Sequence, residues 1–351
     1  MALQVELGVR EAMLWERLPE DEDKDKDKVR CQLCAHRCVI FPGKRGICQV
    51  RENREGRLYS LVYGRLISRA VDPIEKKPLF HFHPGTGSYS IATVGCNFHC
   101  RQCQNWEISQ YPREHGGRII GGEFTPEEIV QDAQRYRCKS IAYTYIEPTV
   151  FFEFAYDTAK LAHEVGIKNV FVSNGYLTPE ATRTIAPYLD GINIDIKAFR
   201  DQTYRRYFGA TLQPVLETVE LMRELGVWVE ATTLIIPTIN DSEEELREIA
   251  RFIRSVDPAI PWHVTRFHPH YKLTHLPPTP LETLRRAREI GLEEGLRYVY
   301  EGNVPGEGGE NTYCPGCGEL LIERWGFGIA RYRIGEDRCP KCGAKIDGVG
   351  L

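Results

Sequence analysis

Between residues 88 and 267, short apolar runs rich in β-branched residues alternate with amphipathic stretches. The sequence predicts strands at Ser90–Val94, Ser140–Ile146, Asn169–Ser173, Gly191–Ile196, Trp228–Ile236 and His263–Phe267. The segments between them carry helix-start signals. Thr125-Pro126-Glu127-Glu128 offers a capping hydroxyl, a proline in the first turn and early acids; Thr178-Pro179-Glu180 and Asp241-Ser242-Glu243-Glu244 repeat the device. Six βα units in a row predict a parallel sheet with crossover helices. A closed or partial barrel and an open doubly wound sheet share this local signature.

If the strands form a barrel, function gathers at their C-terminal ends. Each strand is followed there by polar residues: a cysteine loop after the first, Tyr145 and Glu147 after the second, Ser173 and Asn174 after the third. Asp195 and Lys197 close the fourth, Thr238 follows the fifth, and His268 and His270 follow the sixth. Asp195 and Lys197 alternate along a strand end and so face the same side.

Eleven of the twelve cysteines fall in three tight groups. Grouped cysteines in a reducing compartment read as metal ligands. Cys96, Cys100 and Cys103 form C-x3-C-x2-C. Three thiolates hold three irons of a 4Fe–4S cluster and leave the fourth open, and an open metal position implies chemistry. A zinc site completed by His99 has compatible ligands. Cys314, Cys317, Cys339 and Cys342 form C-x2-C-x21-C-x2-C, each pair followed by glycine, which reads as a zinc ribbon; a rubredoxin-like iron uses similar knuckles. Cys31, Cys34, Cys38 and Cys48 form a closed four-ligand set suited to zinc or to an auxiliary 4Fe–4S cluster, with His36 as an alternative ligand. The remaining Cys138 reads as a small buried hydrophobe.

These groups divide the chain into a Cys-rich N-terminal extension (1–85), a core (86–305) and a ribbon-like module (306–351), with Gly306 to Gly309 as a flexible linker. In the extension we expect an opening helix, a solvated loop from Asp21 to Lys28 and a strand-like piece from Leu58 to Tyr63. Pro73 to Pro84, rich in Pro, Lys and His, reads as irregular. Lys plus Arg number 45 against 49 Asp plus Glu, a balance that argues against a nucleic-acid or membrane-surface role. The absence of a long apolar run or signal-peptide pattern gives a cytoplasmic expectation.

Several stretches resemble the pyruvate formate-lyase-activating branch of the radical S-adenosylmethionine (SAM) enzymes, and more closely the radical SAM member of the AmmeMemoRadiSam systems. They are Ile91–Phe98, Cys103–Gln110, Tyr143–Thr149 and Asn193–Lys197. The resemblance implies a partial (β/α)6 TIM-like barrel. It implies a 4Fe–4S cluster on Cys96, Cys100 and Cys103 whose open iron binds SAM, and a low-potential donor such as ferredoxin or flavodoxin. Glu147 then takes the place of the glutamate that receives the SAM ammonium, without the two glycines that usually precede it. Asp195 and Lys197 lie close to SAM, Lys197 towards its carboxylate; Asn174 contacts the ribose or methionine end, and His268 the ribose. Gln102 stands where an aromatic residue often lies by the adenine, with Phe98 or Trp106 as substitutes. Gly121-Gly122-Glu123 precedes a helix start and reads as a turn. The implied activity is hydrogen abstraction from an unidentified substrate or activation of a glycyl radical enzyme. A zinc-ribbon binding module for nucleic acid or protein is the rival class, disfavoured by the charge balance.

Overall fold

The computed structural model describes residues 8–19 and 26–351. Its centre is one eight-stranded sheet: β1 (Ser68–Pro73), β2 (Gly87–Ala92), β3 (Ser140–Tyr143), β4 (Lys168–Ser173), β5 (Gly191–Asp195), β6 (Trp228–Ile235), β7 (Trp262–Arg266) and β8 (Val299–Gly302). Neighbours in the sheet are neighbours in the chain. Strands β2 to β8 run parallel, and β1 is antiparallel to β2. A doubly wound sheet reverses its strand order midway. Here the order never reverses, so right-handed crossovers place the helices on one face and the sheet curls into a partial barrel. All six expected strands are present, with ends shifted by up to three residues. Both β1 and β8 extend the expected set.

The helices start where the sequence placed them. Thr125 Oγ1 accepts a hydrogen bond from the Glu128 N–H, and the Glu128 carboxylate accepts one from the Thr125 N–H, a capping box opening Pro126–Arg135. Thr178 and Ser242 cap Pro179–Ile185 and Glu243–Val256. Cys138 follows the first of these helices and is buried in the core.

The extension departs from expectation. Its described residues contain no helix before residue 74 but, ahead of β1, seven short strands. Arg10–Glu11 pairs with Arg57–Ser60, and Trp15–Arg17 pairs with Val29–Cys31. Pairing satisfies backbone groups that a helix would otherwise have served. Residues 21–25 of the expected solvated loop lie outside the described residues.

The stretch read as irregular forms the floor of the barrel. Ile74, Leu79, Phe80 and Phe82 are buried. The N–H groups of Phe80 and His81 donate to the Glu230 carboxylate at 3.0 and 2.8 Å, and His263 meets it at 2.7 Å. The C-terminal module seals this end from below. Fully buried Arg324 donates to the Phe80 carbonyl at 2.9 Å and Thr312 Oγ1 at 2.7 Å, and lies 3.9 Å from Glu75. The segment expected as a flexible linker is fastened: Glu301 N–H donates to the Gly309 carbonyl, and Gly306 N–H to Glu310.

Candidate active site

The loop after β2 carries Cys96, Cys100 and Cys103 to the C-terminal rim. It is held on several sides. His99 and Arg101 N–H groups donate to the Phe208 and Tyr207 carbonyls, Lys272 N–H donates to Arg101, and Gln110 Nε2 donates to Phe98. Phe98 N–H donates to Cys96 Sγ at 3.4 Å, and Ser109 Oγ lies 3.2 Å from Cys103 Sγ. Burial pushes all three thiols up, so a positively charged centre is needed to keep them as thiolates.

Asp195 and Lys197 do face the same side: Lys197 Nζ lies 2.6 Å from Asp195 Oδ2. Burial alone would lower the Lys197 ammonium, but Asp195 and Cys100 carry it well above its ordinary value. The rim therefore has a fixed cation beside the cluster loop.

Glu147 is buried and already well supplied with donors. Asn174 N–H donates to it at 2.8 Å, Ser173 Oγ at 2.9 Å and Thr149 N–H at 3.1 Å, with Thr149 Oγ1 as a fourth donor. Burial pushes its carboxyl up against those donors. Asn174 Nδ2 donates to Asn97 Oδ1 at 2.7 Å. Glu147 thus ties the ends of β3 and β4 to the cluster loop. Tyr145, two residues earlier, has φ +63°, a conformation natural to glycine. The backbone adopts the shape of a glycine motif without the glycines. His268 is exposed at the end of β7.

Phe98 packs in the core against Tyr176 and Tyr204, and Trp106 stacks on Tyr271 with centroids 5.1 Å apart. Gln102 is buried with Oε1 lacking a partner. Gly122–Glu123 is not a turn but a short strand paired with Arg65–Leu66. A Cβ at Gly121 would lie 2.8 Å from the Arg65 backbone, which explains the glycine there.

Sequence reasoning missed Asp72, Lys77 and Tyr145 as a group. Lys77 Nζ lies 2.6 Å from Asp72, whose other donors are Lys76 Nζ at 2.8 Å and the Tyr145 hydroxyl. Burial lowers Lys77 to about 8. The consecutive lysines in an otherwise irregular stretch were its signal.

Sulfur spacing separates the metal groups. Cys314 and Cys342 Sγ are 3.6 Å apart, and Cys317 and Cys339 Sγ are 3.7 Å apart. Among the described residues this quartet alone gathers three or more His, Cys, Asp or Glu donors within 4.8 Å of one another. One tetrahedral ion with sulfur at roughly 2.3 Å fits it. The Cys96 triad with His99 is not drawn in this way, which disfavours a single zinc there.

A three-cysteine loop thus sits at the C-terminal rim of a partial barrel, where the sequence led us to expect an iron–sulfur cluster with an open iron. The family model for the radical SAM superfamily matches residues 90–253. An uncharacterized protein of Methanocaldococcus jannaschii is 52% identical over 97% of this chain and 99% of its own length. The pyruvate formate-lyase-activating enzyme of Clostridium pasteurianum is 24% identical, across 59% of this chain and 89% of that protein. Streptococcus suis SuiB bound to S-adenosylmethionine has a similar fold, with a TM-score of 0.50 and 15% identity over 66% of this chain and 53% of its own. The chain belongs to the radical SAM superfamily. Its named relatives set it beside the pyruvate formate-lyase-activating branch. Membership brings a 4Fe–4S cluster and SAM, cleaved to a radical. Among the described residues, no helix is long and apolar enough to cross a membrane.

Proposed function

We propose that Cys96, Cys100 and Cys103 hold the 4Fe–4S cluster, and that the enzyme abstracts a hydrogen atom from a substrate carbon at the C-terminal rim. The observation that supports this most is a loop of three half-buried cysteines, not gathered within one-ion distance, at the rim of a parallel barrel. When bound, the cluster supplies one electron to the SAM sulfonium, releasing methionine and a 5′-deoxyadenosyl radical.

The residues of the chain bind and orient. Lys197, held charged by Asp195, meets the SAM carboxylate. Glu147 acts as a positioning residue as well as an acceptor for the SAM ammonium, because its existing donors fix Asn174 and, through Asn97, the loop of Cys96. Exposed His268 is the candidate ribose contact. The C-terminal quartet holds one structural zinc. A ferredoxin or flavodoxin supplies the electron.

The test is SAM cleavage by the anaerobically reconstituted chain. Cys96→Ser/Cys100→Ser/Cys103→Ser should form no 5′-deoxyadenosine above background while keeping metal at Cys314–Cys342. Cleavage at the wild-type rate overturns the assignment. The named relatives favour a second reading, activation of a glycyl radical enzyme. A glycyl radical EPR doublet on a partner protein is its signature.

A further inference from the structure

The N-terminal quartet does not resemble the compact one. Cys31, Cys34, Cys38 and Cys48 line a single pocket together with Arg51 and Asn97. Unlike the ribbon sulfurs, they are not gathered within one-ion distance. His36 gives its Nε2 to the Asn97 carbonyl at 2.8 Å. Arg51 is buried and ion-paired with Glu153, yet its Nε and Nη1 lack partners, as does Nδ2 of Asn97. Orphaned buried donors beside four cysteine sulfurs call for a further acceptor in that space.

The quartet also touches the cluster loop. A Cβ on Gly95 would lie 3.1 Å from the Cys48 carbonyl and 2.6 Å from the Val50 side chain, so the backbone preceding Cys96 packs closely beside Cys48. Cys34 bridges to Leu177, beyond the end of β4. Arg113 donates to the Ile47 carbonyl at 2.7 Å, and both Cys96 and Cys48 act on its charge.

We propose that Cys31, Cys34, Cys38 and Cys48 hold a second 4Fe–4S cluster, electronically coupled to the one at Cys96, Cys100 and Cys103. Arg51 and Asn97 donate hydrogen bonds to its sulfurs, and Arg113 is the cation shared by both groups. One electron comes from an external low-potential ferredoxin- or flavodoxin-type donor, rests on the quartet's irons, and passes to the SAM-binding irons; no atom or proton moves. The exposed side chains of Val39, Phe41 and Ile47 put the quartet's own loops on the solvent side, where such a donor reaches them. The coupling rests on the reading of the Cys96 triad given above.

Metal analysis with Mössbauer and EPR spectroscopy tests this on the reconstituted full chain, on Cys31→Ser/Cys34→Ser, and on the triple Cys96/Cys100/Cys103→Ser variant. The wild type should carry about eight irons per chain and each variant about four. Reduced wild type should show dipolar broadening that neither variant shows. SAM should perturb the signal of the Cys31/Cys34 variant and leave that of the triple variant unchanged. Arg113→Leu should move both midpoint potentials negative; movement of one alone overturns the shared cation. Zinc, or no metal, at the quartet of the triple variant overturns the second cluster, and does so even if the Cys31/Cys34 variant misfolds. Eight irons without broadening overturns the coupling. Failure of the radical SAM reading looks different: iron in the Cys31/Cys34 variant that SAM does not perturb.

Discussion

Two sets of four cysteines sit at opposite ends of one barrel, and they are built differently. The C-terminal set hangs on two C-x2-C knuckles. Gly318 and Gly343 follow them at φ +72° and +73°, so each turn folds tightly and the sulfurs converge. The N-terminal set is drawn from a strand residue, Cys31, a turn holding Cys34 and Cys38, and Cys48 from a loop ten residues on. These elements are fixed by separate partners, and the sulfurs surround a space. The number of ligands is the same. The scaffold between them decides how large a group they can share.

The strongest way to break this comparison is at the compact set. Cys339→Ala should cost one metal ion per chain and at least about 5 kcal/mol of stability, because structural metal binding is folding free energy. An unchanged melting temperature with the ion gone would show that the knuckles stand without it.

Arg324→Ala asks how firmly that set is joined to the barrel. It leaves Glu75 buried without its cation, so denaturant unfolding should show a loss of roughly 3–5 kcal/mol. A loss below 1 kcal/mol would mean the contact is incidental.

The same floor carries a pH dependence of its own. Burial lowers His81 from 6.5 to about 4. Neutral His81 pairs Nδ1 with the Asp347 carbonyl and Nε2 with the Tyr300 hydroxyl, both at 2.6 Å. A histidine with a depressed folded value contributes its stability in full above 6.5 and loses it as pH falls towards 4, for a total of about 3 kcal/mol. Urea midpoints measured across that range should fall in the wild type and flatten in His81→Gln.

At the rim, Glu147→Gln puts an amide donor among N–H and O–H donors. It should cost about 1–3 kcal/mol, and SAM binding should weaken with the cluster retained. Glu123→Gln is the small end of the scale. Its half-exposed pair with Arg65, at 3.6 Å, contributes less than about 1 kcal/mol, and neither stability nor SAM affinity should move measurably. Equal effects of the two substitutions would refute the placement of the site after β3.

The six core strands were legible because each is an uninterrupted apolar run between caps and turns. The loop of Cys96, Cys100 and Cys103 was legible because its three cysteines lie within eight residues. The floor was not. Glu230 and His263 sit inside apolar strands, and their partners Phe80 and His81 are 149 or more residues away. Strand β1 was missed because its outward residues dilute the apolar pattern; its burial alternates and only Asp72 is fully covered. The helix expected at the N-terminus failed because the described residues there find pairing partners some fifty positions on, at Tyr59 and Ser60. The donor count around Glu147 needed Asn174, 27 residues later, to be brought beside it.

Arg324 also has a consequence for the order in which the chain is completed. Its hydrogen bond to the Phe80 carbonyl spans 244 residues, and the bond from His81 to Asp347 spans 266. On a ribosome the floor begun by residues 74–82 stays unfinished until residues 312–347 have been added. Contacts of such range close late and slowly. A nascent chain stalled before residue 312 would hold its rim elements already made above a base without its clasp.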